Sequence, residues 1–322
     1  MNTKDICIAI PGKLHPHAVE RITGAFRVVT LDSADPALIP PELAGQIMGV
    51  ATATGANPAF IDALPRLEIV ANFGVGYDAV DAPHCARRGV MVTNTPDVLT
   101  EEVADTAVGL LINTVRELPQ AEAWLRAGKW EREGPYPLTQ GTLRGRHVGI
   151  FGMGRIGMAI AQRLEAFGLK ISYHNRRKAD GVAYDYYPTL VELAAAVDTL
   201  VSVAPGGPST DRIVGAEVLR ALGPNGVFVN IGRGSTVDEP ALIAALRDGT
   251  IRAAGLDVFA NEPRVPAELI ALPNACLLPH VGSATVHTRQ GMADLVADNL
   301  ISWFTHRKAV TPVPETAQVA AR

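Results

Sequence analysis

The sequence predicts an α/β protein with two doubly wound parallel-sheet domains, the first of which is discontinuous. Short apolar runs alternate with helix-length stretches along most of the 322 residues, a pattern typical of strands covered by helices on both faces. The 30 glycines and 23 prolines suit frequent tight turns between such elements. Because the series of strands starts again near residue 147, we expect two domains.

The first series of apolar runs predicts a small parallel sheet. After it comes a helix that begins at Thr100 and ends near Leu118, with acidic residues in its first turns and apolar residues at helical spacing. This helix is expected to link the two domains. The predicted strands are residues 6–10, 47–51, 67–73 and 90–93.

The second series runs from strand to glycine-rich loop, helix and strand, which is the order of a Rossmann-like domain. A last helix, residues 284–305, is long enough to return to the first domain and complete it. The tail after Thr311 contains two prolines and is predicted to be disordered. The predicted strands of this series are residues 147–151, 169–173, 199–204, 227–231, 254–259 and 275–278.

Composition excludes several classes of protein. A formal net charge of −4, with no run of like charges, argues against a nucleic-acid partner. The chain has no apolar run of membrane-spanning length and no signal-peptide pattern, so we expect a soluble cytoplasmic protein without a membrane partner. Cys7, Cys85 and Cys276 are too scattered for a disulfide framework or a zinc site, and we interpret them as reduced structural thiols with no bound metal.

The glycine-rich loop carries the first functional prediction. Gly152 permits a tight turn, Gly154 lets the backbone approach a pyrophosphate, and Gly157 allows the helix to pack closely on the strand. The amides of Arg155 and Ile156 would then meet the phosphates at the positive end of the helix. An ordinary strand-to-helix turn is the alternative, because glycine triplets of this spacing also occur by chance.

The residues after the next strand indicate which dinucleotide is bound. NAD enzymes usually have an acidic residue about twenty positions beyond the loop, where it binds the adenosine ribose. This chain has Asn175, Arg176 and Arg177 there, and two guanidinium groups suit a 2′-phosphate. NADP(H) is therefore predicted, with NAD(H) as the weaker possibility. The alternative is that the arginine pair forms a solvated charged turn.

Three polar residues follow later strands of the second series. Arg233 is flanked by glycines at the end of a buried strand, where its forked guanidinium suits a carboxylate and a neighbouring carbonyl oxygen. His280 lies between a strand and a helix and can exchange a proton near neutral pH. Glu262 could bond to that imidazole and favour its protonated form. Together these residues predict an enzyme.

A loop of the first domain, residues 72–78, contains two glycines directly after a strand. Such a loop could turn its backbone amides toward an anion. It could equally be an ordinary turn.

These motifs resemble the D-isomer-specific 2-hydroxyacid dehydrogenase family, and the resemblance extends from about Ile47 to Asn299. It implies hydride transfer between the nicotinamide and the carbon that bears the keto or hydroxyl group. It also implies a flavodoxin-like substrate-binding domain, residues 1–98 and 286–322, and a dinucleotide-binding domain, residues 99–285. The matching segments are residues 72–81, 152–157, 230–234 with Asp238, 255–263 and 279–283.

The resemblance also assigns roles to individual residues. Arg233 would orient the substrate carboxylate, His280 would act as acid and base, and Glu262 would assist it. The amides of Val75 and Gly76 would bind the substrate carboxylate. Contacts with the cofactor are implied for Asp257, Ala204, Ile231 and Ser283, in addition to Arg233 and His280 themselves.

Within the family, the Asn-Arg-Arg stretch is similar to that of NADPH-dependent glyoxylate and hydroxypyruvate reductases. The leading prediction is therefore NADPH-dependent reduction of a small 2-keto acid to a D-2-hydroxy acid. The resemblance implies a homodimer formed through the helix from Thr100 to Leu118, with Trp130 either reaching the partner's substrate cleft or packing in the interface. Two alternatives stay open: a nicotinamide-sensing binding protein that retains this fold, and an enzyme similar to phosphoglycerate or formate dehydrogenases.

Overall fold

Parallel strands form the centre of both halves of the chain. The computed structural model describes residues 3–320, and the chain divides into two compact units, Met1–Leu99 with Thr285–Arg322, and Thr100–Ala284. Among the described residues, the first unit holds a five-stranded sheet and the second a seven-stranded sheet. Every strand pair in both sheets is parallel. The predicted fold class, with a discontinuous first domain, is confirmed.

The sheet of the first unit has the strand order β2-β1-β3-β4-β5, the order of flavodoxin-like sheets. Strand β2 was not among the predicted strands. It lies at the sheet edge and leaves most of its residues partly or fully exposed, so it lacks the continuous apolar run of its buried neighbours. The strands are β1 (Cys7–Pro11), β2 (Arg27–Leu31), β3 (Ile47–Thr52), β4 (Ile69–Asn72) and β5 (Met91–Thr93).

The sheet of the second unit has the order β12-β11-β10-β9-β6-β7-β8. Its two-residue edge strand β8 was also missed, because a segment of that length has no periodicity to read. The strand order reverses between β6 and β9, which is where ligands bind in doubly wound sheets. The strands are β6 (His147–Phe151), β7 (Lys170–His174), β8 (Asp185–Tyr186), β9 (Thr199–Ser202), β10 (Val227–Asn230), β11 (Ala253–Leu256) and β12 (Ala275–Leu277).

Helices follow most of the strands. None of the helices in residues 3–320 combines the length and apolar character that a membrane span requires. The α-helices are α1 (Pro16–Ala25), α2 (Pro41–Ala44), α3 (Pro58–Asp62), α4 (Ala82–Arg88), α5 (Thr100–Arg116), α6 (Leu118–Arg126), α7 (Lys129–Glu133), α8 (Arg155–Ala166), α9 (Leu190–Ala196), α10 (Ala216–Leu222), α11 (Glu239–Arg247), α12 (Ala267–Ile270) and α13 (Val286–His306). Short 3-10 helices cover Thr3–Asp5, Pro36–Leu38, Gly234–Thr236 and Pro314–Thr316.

Helix α13 completes the core of the first unit. Its buried side chains, among them Leu300 and the fully buried Trp303, pack with apolar residues of β1, β3 and β4. The three cysteines are buried free thiols, and burial raises the pKa of Cys85 to about 12, which makes that thiol unreactive at neutral pH.

The prediction of a disordered tail is wrong. Val313 and Thr316 are buried against the first sheet, and the Thr316 hydroxyl bonds to the backbone of Val92 at 3.0 and 3.2 Å. The prolines, which suggested disorder, instead suit an extended segment beside a sheet edge, where no backbone donor is needed at those positions. Pro312 pairs with Thr93 of β5 in an antiparallel bridge.

Candidate active site

The glycine loop after β6 is packed too closely for any other residue at two of its glycines. Gly152 has a φ of +103°, and a Cβ there would lie 2.7 Å from the amide nitrogen of Ala204. A Cβ on Gly157 would overlap the carbonyl oxygen of Gly152. The loop therefore lies against the segment after β9, at the reversal of strand order, and α8 starts directly on top of it.

Gly154 differs from these two glycines, because a Cβ on it would meet no described atom within 4 Å. It precedes α8, whose first amides, those of Arg155 and Ile156, lie at the positive end of the helix dipole. Open space in front of a helix N-terminus suits a phosphate. These residues therefore fit the pyrophosphate of a dinucleotide.

Asn175 supports the glycine loop. Its Oδ1 accepts from the amide of Met153 at 2.6 Å, and its Nδ2 donates to the Met153 carbonyl at 3.2 Å. This pair of bonds joins the end of β7 to the loop after β6. Arg176 and Arg177, by contrast, are exposed and make no hydrogen bond or ion pair with any of residues 3–320. Their guanidinium groups have no structural role there that would compete with binding a phosphate.

Arg233 lies in a turn that a buried asparagine organises. The side chain of Asn230, which is fully buried, accepts from the amide of Gly232 at 3.0 Å and donates to the Arg233 carbonyl at 2.9 Å. The next residue is Gly234, where no other residue fits, because a Cβ there would overlap the backbone of Phe259. Asn230 was not among the predicted functional residues. The available signal was a polar residue within an otherwise apolar buried strand.

Glu262 and His280 form a hydrogen-bonded pair. The Oε2 of Glu262 lies 2.7 Å from Nδ1 of His280, and its Oε1 accepts from the amide of Phe259 at 3.0 Å. Burial acts to raise the pKa of Glu262, but the bonds to His280 and Phe259, helped by the charges of His280 and Arg233, hold that pKa below its ordinary value. Glu262 is therefore ionised at neutral pH. No described residue bonds to Nε2 of His280, and the side chain is 46% exposed, while Nδ1 is held.

The backbone of His280 is in the left-handed region, with a φ of +53°. Non-glycine residues adopt it only where the surroundings hold them, and such positions cluster at functional sites. Asp257 supplies that support: its carbonyl accepts from the amide of His280 at 2.9 Å. Its buried carboxylate accepts from the amides of Val281 and Gly282 at 2.7 and 2.8 Å. Burial raises the pKa of Asp257, although the two amides oppose that shift.

The other implied cofactor residues of the second unit lie near these groups. Ala204 is buried and packs against the glycine loop. Ile231 is buried next to the backbone of Gly282, and Ser283 is buried two positions after Val281. Trp130 lies apart from this group of residues in the chain, on α7, and is 61% exposed.

In the first unit, the loop from Gly74 to Gly76 has all its carbonyls held. Asn72 donates from Nδ2 to the carbonyls of Gly74 and Gly76 at 3.2 and 3.1 Å, and Asn94 donates to the Val75 carbonyl at 2.8 Å. The amides of Val75 and Gly76 bond to no acceptor among residues 3–320. A short loop with its carbonyls bonded on one side and its amides unpaired suits an anion.

Comparisons with known proteins find relatives that match most of this chain. The family model of the D-isomer specific 2-hydroxyacid dehydrogenase, NAD binding domain, matches residues 108–282. A hydroxyphenylpyruvate reductase of Plectranthus scutellarioides is 51% identical over 259 residues, which are 80% of this chain and 82% of that protein. A glyoxylate/hydroxypyruvate reductase A of Arabidopsis thaliana is 50% identical over 267 residues, 83% of this chain and 84% of that protein.

A solved structure is similar over nearly the whole chain. It is an NADPH-dependent glyoxylate/hydroxypyruvate reductase from Sinorhizobium meliloti, in complex with NADP and malonate. The TM-score is 0.95 at 56% identity, and the match covers 99% of each chain.

The contrast between two glycines of the loop is testable by stability. Gly157→Ala is expected to lower the free energy of unfolding by about 1–3 kcal/mol, because its Cβ would overlap the loop backbone. Gly154→Ala should stay within about 0.5 kcal/mol of the wild type, since Gly154 has extended dihedral angles and open space around it. Urea denaturation followed by circular dichroism measures both.

Gly24→Ala is the matched control for this pair, because that glycine lies in α1 with no atom within 4 Å of its added Cβ. Equal losses of stability for Gly154→Ala and Gly157→Ala would contradict the description of the loop.

Proposed function

The chain belongs to the D-isomer-specific 2-hydroxyacid dehydrogenase family, and from that premise we propose that it reduces small 2-keto acids such as glyoxylate and hydroxypyruvate with NADPH. The observation that carries this proposal is the bonded pair of Glu262 and His280, in which Nε2 of the imidazole bonds to no described residue. A proton donor of this kind is what reduction of a ketone to an alcohol requires. Relatives named as glyoxylate/hydroxypyruvate reductases support the choice of substrate.

The bound cofactor would supply a hydride to the keto carbon. The protein's part in binding it falls to the glycine loop, through Gly154 and the amides of Arg155 and Ile156, and to the arginine pair after β7. We assign the 2′-phosphate to Arg176 and Arg177, with Asn175 beside them at the cofactor: its Nδ2 donates one N–H to Met153 and keeps a second for a ligand. Ala204, Ile231, Asp257 and Ser283 are proposed to line the remainder of the cofactor site.

The carboxylate of the substrate is proposed to bind the amides of Val75 and Gly76 and the guanidinium of Arg233. The two amides lack acceptors among residues 3–320, so an anion would satisfy them. Arg233 has a planar fork that suits a carboxylate oxygen together with the keto oxygen. The turn held by Asn230 keeps the base of that side chain in place.

His280 is proposed to donate the proton to the developing alkoxide from Nε2. Glu262 holds Nδ1 and, because it is ionised, stabilises a positive charge on the ring before the proton leaves. This arrangement favours Nε2 as the donor nitrogen, since only Nε2 lacks a partner in the described part of the chain. The left-handed backbone of His280, held by Asp257, sets the direction of the ring.

The reaction is tested by following NADPH consumption with glyoxylate, hydroxypyruvate, pyruvate and phenylpyruvate. His280→Ala is expected to lower kcat by roughly two to four orders of magnitude, the range for loss of a general acid, while NADPH still binds. His306→Ala, an exposed residue at the end of α13, is the control and should leave kcat unchanged. Near wild-type turnover of His280→Ala would refute the assignment of the proton donor.

The cofactor preference is tested by replacing Arg176 and Arg177 with Ala together. KM for NADPH should rise by at least about tenfold, because each charge-assisted hydrogen bond is worth roughly 1.5–3 kcal/mol. KM for NADH should change little, since NADH carries no 2′-phosphate. Arg220→Ala, at an exposed position of α10, serves as the control. A parallel rise for both cofactors would overturn the role of the arginine pair.

We further propose a cytoplasmic homodimer. The three free thiols suit a reducing compartment. Exposed apolar side chains concentrate between residues 118 and 138, namely Leu118, Leu125, Trp130 and Leu138, with exposures of 42, 54, 61 and 92%. Such clustering is typical of an interaction surface. It extends the predicted interface beyond α5, whose own apolar residues are mostly buried.

The dimer is tested by light scattering after size exclusion. The wild type should have twice the mass of one chain, and Leu125→Glu should be a monomer because a buried charge without a partner opposes association. Phe167→Glu places the same charge at an exposed apolar residue outside this surface and should remain dimeric. A monomeric wild type would exclude the proposal.

Trp130→Ala distinguishes the two roles predicted for Trp130. A raised KM for keto acids in an intact dimer supports a contact with the substrate, and unchanged constants support packing in the interface.

A further inference from the structure

The loop from Gly74 to Gly76 depends on a residue outside it, Asn94. The Nδ2 of Asn94 makes the bond to the Val75 carbonyl, at 2.8 Å. The next residue, Thr95, donates its amide to the Gly74 carbonyl at 3.0 Å. Because the carbonyls are held from this side, the direction of the Val75 and Gly76 amides is set by where Asn94 and Thr95 lie.

Asn94 is in turn held by the C-terminal segment. Its amide donates to the Thr311 carbonyl at 3.3 Å, and its own carbonyl accepts from the Thr311 hydroxyl at 2.7 Å. The pairing of Thr93 with Pro312 continues this contact by one residue. Thr311 thus holds the backbone of Asn94 at both its amide and its carbonyl.

Thr311 is fixed by Asn299, a fully buried residue of α13. The Oδ1 of Asn299 accepts from the amides of Val310 and Thr311, both at 3.0 Å, and its Nδ2 donates to the Thr311 hydroxyl at 2.9 Å. The hydroxyl therefore accepts from Asn299 and donates to Asn94, which fixes its orientation. A continuous series of hydrogen bonds leads from α13 through Thr311 and Asn94 to Val75.

A second contact joins the same segment to the end of the loop. Tyr77 follows Gly76 directly, and its hydroxyl donates to Oε2 of Glu315 at 3.0 Å. Burial, together with the Glu315 carboxylate, raises the pKa of Tyr77 to about 12, so the phenol keeps its proton at neutral pH. Glu315 itself lies in the 3-10 helix that the buried Thr316 anchors to Val92.

We propose that residues 310–316 are a positioning element for substrate binding, in which Thr311, through Asn94, and Glu315, through Tyr77, hold the loop of Val75 and Gly76 in its carboxylate-binding conformation. This inference rests on the proposed role of those two amides. Amides that are already oriented bind an anion without the entropy cost of ordering the loop. Preorganisation of this kind strengthens binding.

Thr311→Val tests the proposal, because it removes the hydroxyl and keeps the β-branched shape. KM for glyoxylate should rise by about tenfold, the effect of roughly 1.4 kcal/mol, whereas kcat and KM for NADPH should change by less than about twofold. Tyr77→Phe should act in the same direction. Thr305→Val is the matched control, since the hydroxyl of that exposed threonine bonds only within α13, to Ile301.

Hydrogen exchange provides a readout that does not depend on activity. The amide of Thr95 reports on the loop because it bonds to the Gly74 carbonyl, so its exchange should accelerate in Thr311→Val and not in Thr305→Val. Unchanged exchange, or faster exchange with an unchanged KM for glyoxylate, would overturn the inference. Equal increases in KM for glyoxylate and NADPH would also overturn it, as a general loss of structure.

The proposed function is decided separately by the wild-type protein. Absence of keto acid reduction by the wild type would reject that function. The exchange of Thr95 in Thr311→Val would still decide whether the C-terminal segment holds the loop.

Discussion

Close contact between backbone segments at the carboxyl ends of the second sheet is the constraint on which the candidate site depends. Gly152 lies against Ala204, Gly157 against Gly152, and Gly234 against Phe259, at separations that leave no room for a Cβ. Loops that pack in this way have few alternative conformations. The backbone of Arg155, next to the first loop, and that of Arg233, next to Gly234, are therefore fixed in position.

Buried and half-buried polar side chains provide the second level of support. Asn230 bonds to both ends of the Arg233 turn, Asp257 holds the loop that contains His280, and Asn175 holds the glycine loop. In each case one side chain satisfies two backbone groups that a strand end would otherwise leave unpaired. Because these three side chains maintain the geometry of the loops, exposed residues such as His280 remain available to bind ligands.

The same division of roles occurs in the first unit. Asn72 and Asn94 hold the carbonyls of the loop, and the amides of Val75 and Gly76 stay unpaired among the described residues. A C-terminal segment that adds little apolar surface still contributes Thr311 and Glu315 to this arrangement. A positioning role for that segment explains why the buried Asn299 holds Thr311 and why Tyr77 bonds to Glu315.

Much of the architecture follows from local sequence. Buried strands such as β6 and β10 are continuous apolar runs, and the glycine spacing after β6 identifies a turn that only glycine can make, so their positions and the family are readable from the residues alone. Edge strand β2 was missed because partial exposure removes the apolar pattern, and edge strand β8 because two residues show no periodicity. The candidate residues Arg233, Glu262 and His280 were recognisable from their strand-end positions, and the bond between Glu262 and His280 was expected. The bond from the Phe259 amide to Glu262 was not.

Tertiary structure decided what local pattern does not encode. The sequence determined that the tail after Thr311 is polar and rich in proline, and on that basis it suggested disorder. Folding pairs Thr311 with Asn94. For Asn175, a predicted cofactor residue, folding adds two bonds that hold the glycine loop. The physical reason is that a hydrogen bond between residues distant in sequence depends on where folding brings both partners, and composition or periodicity describes only one of them at a time.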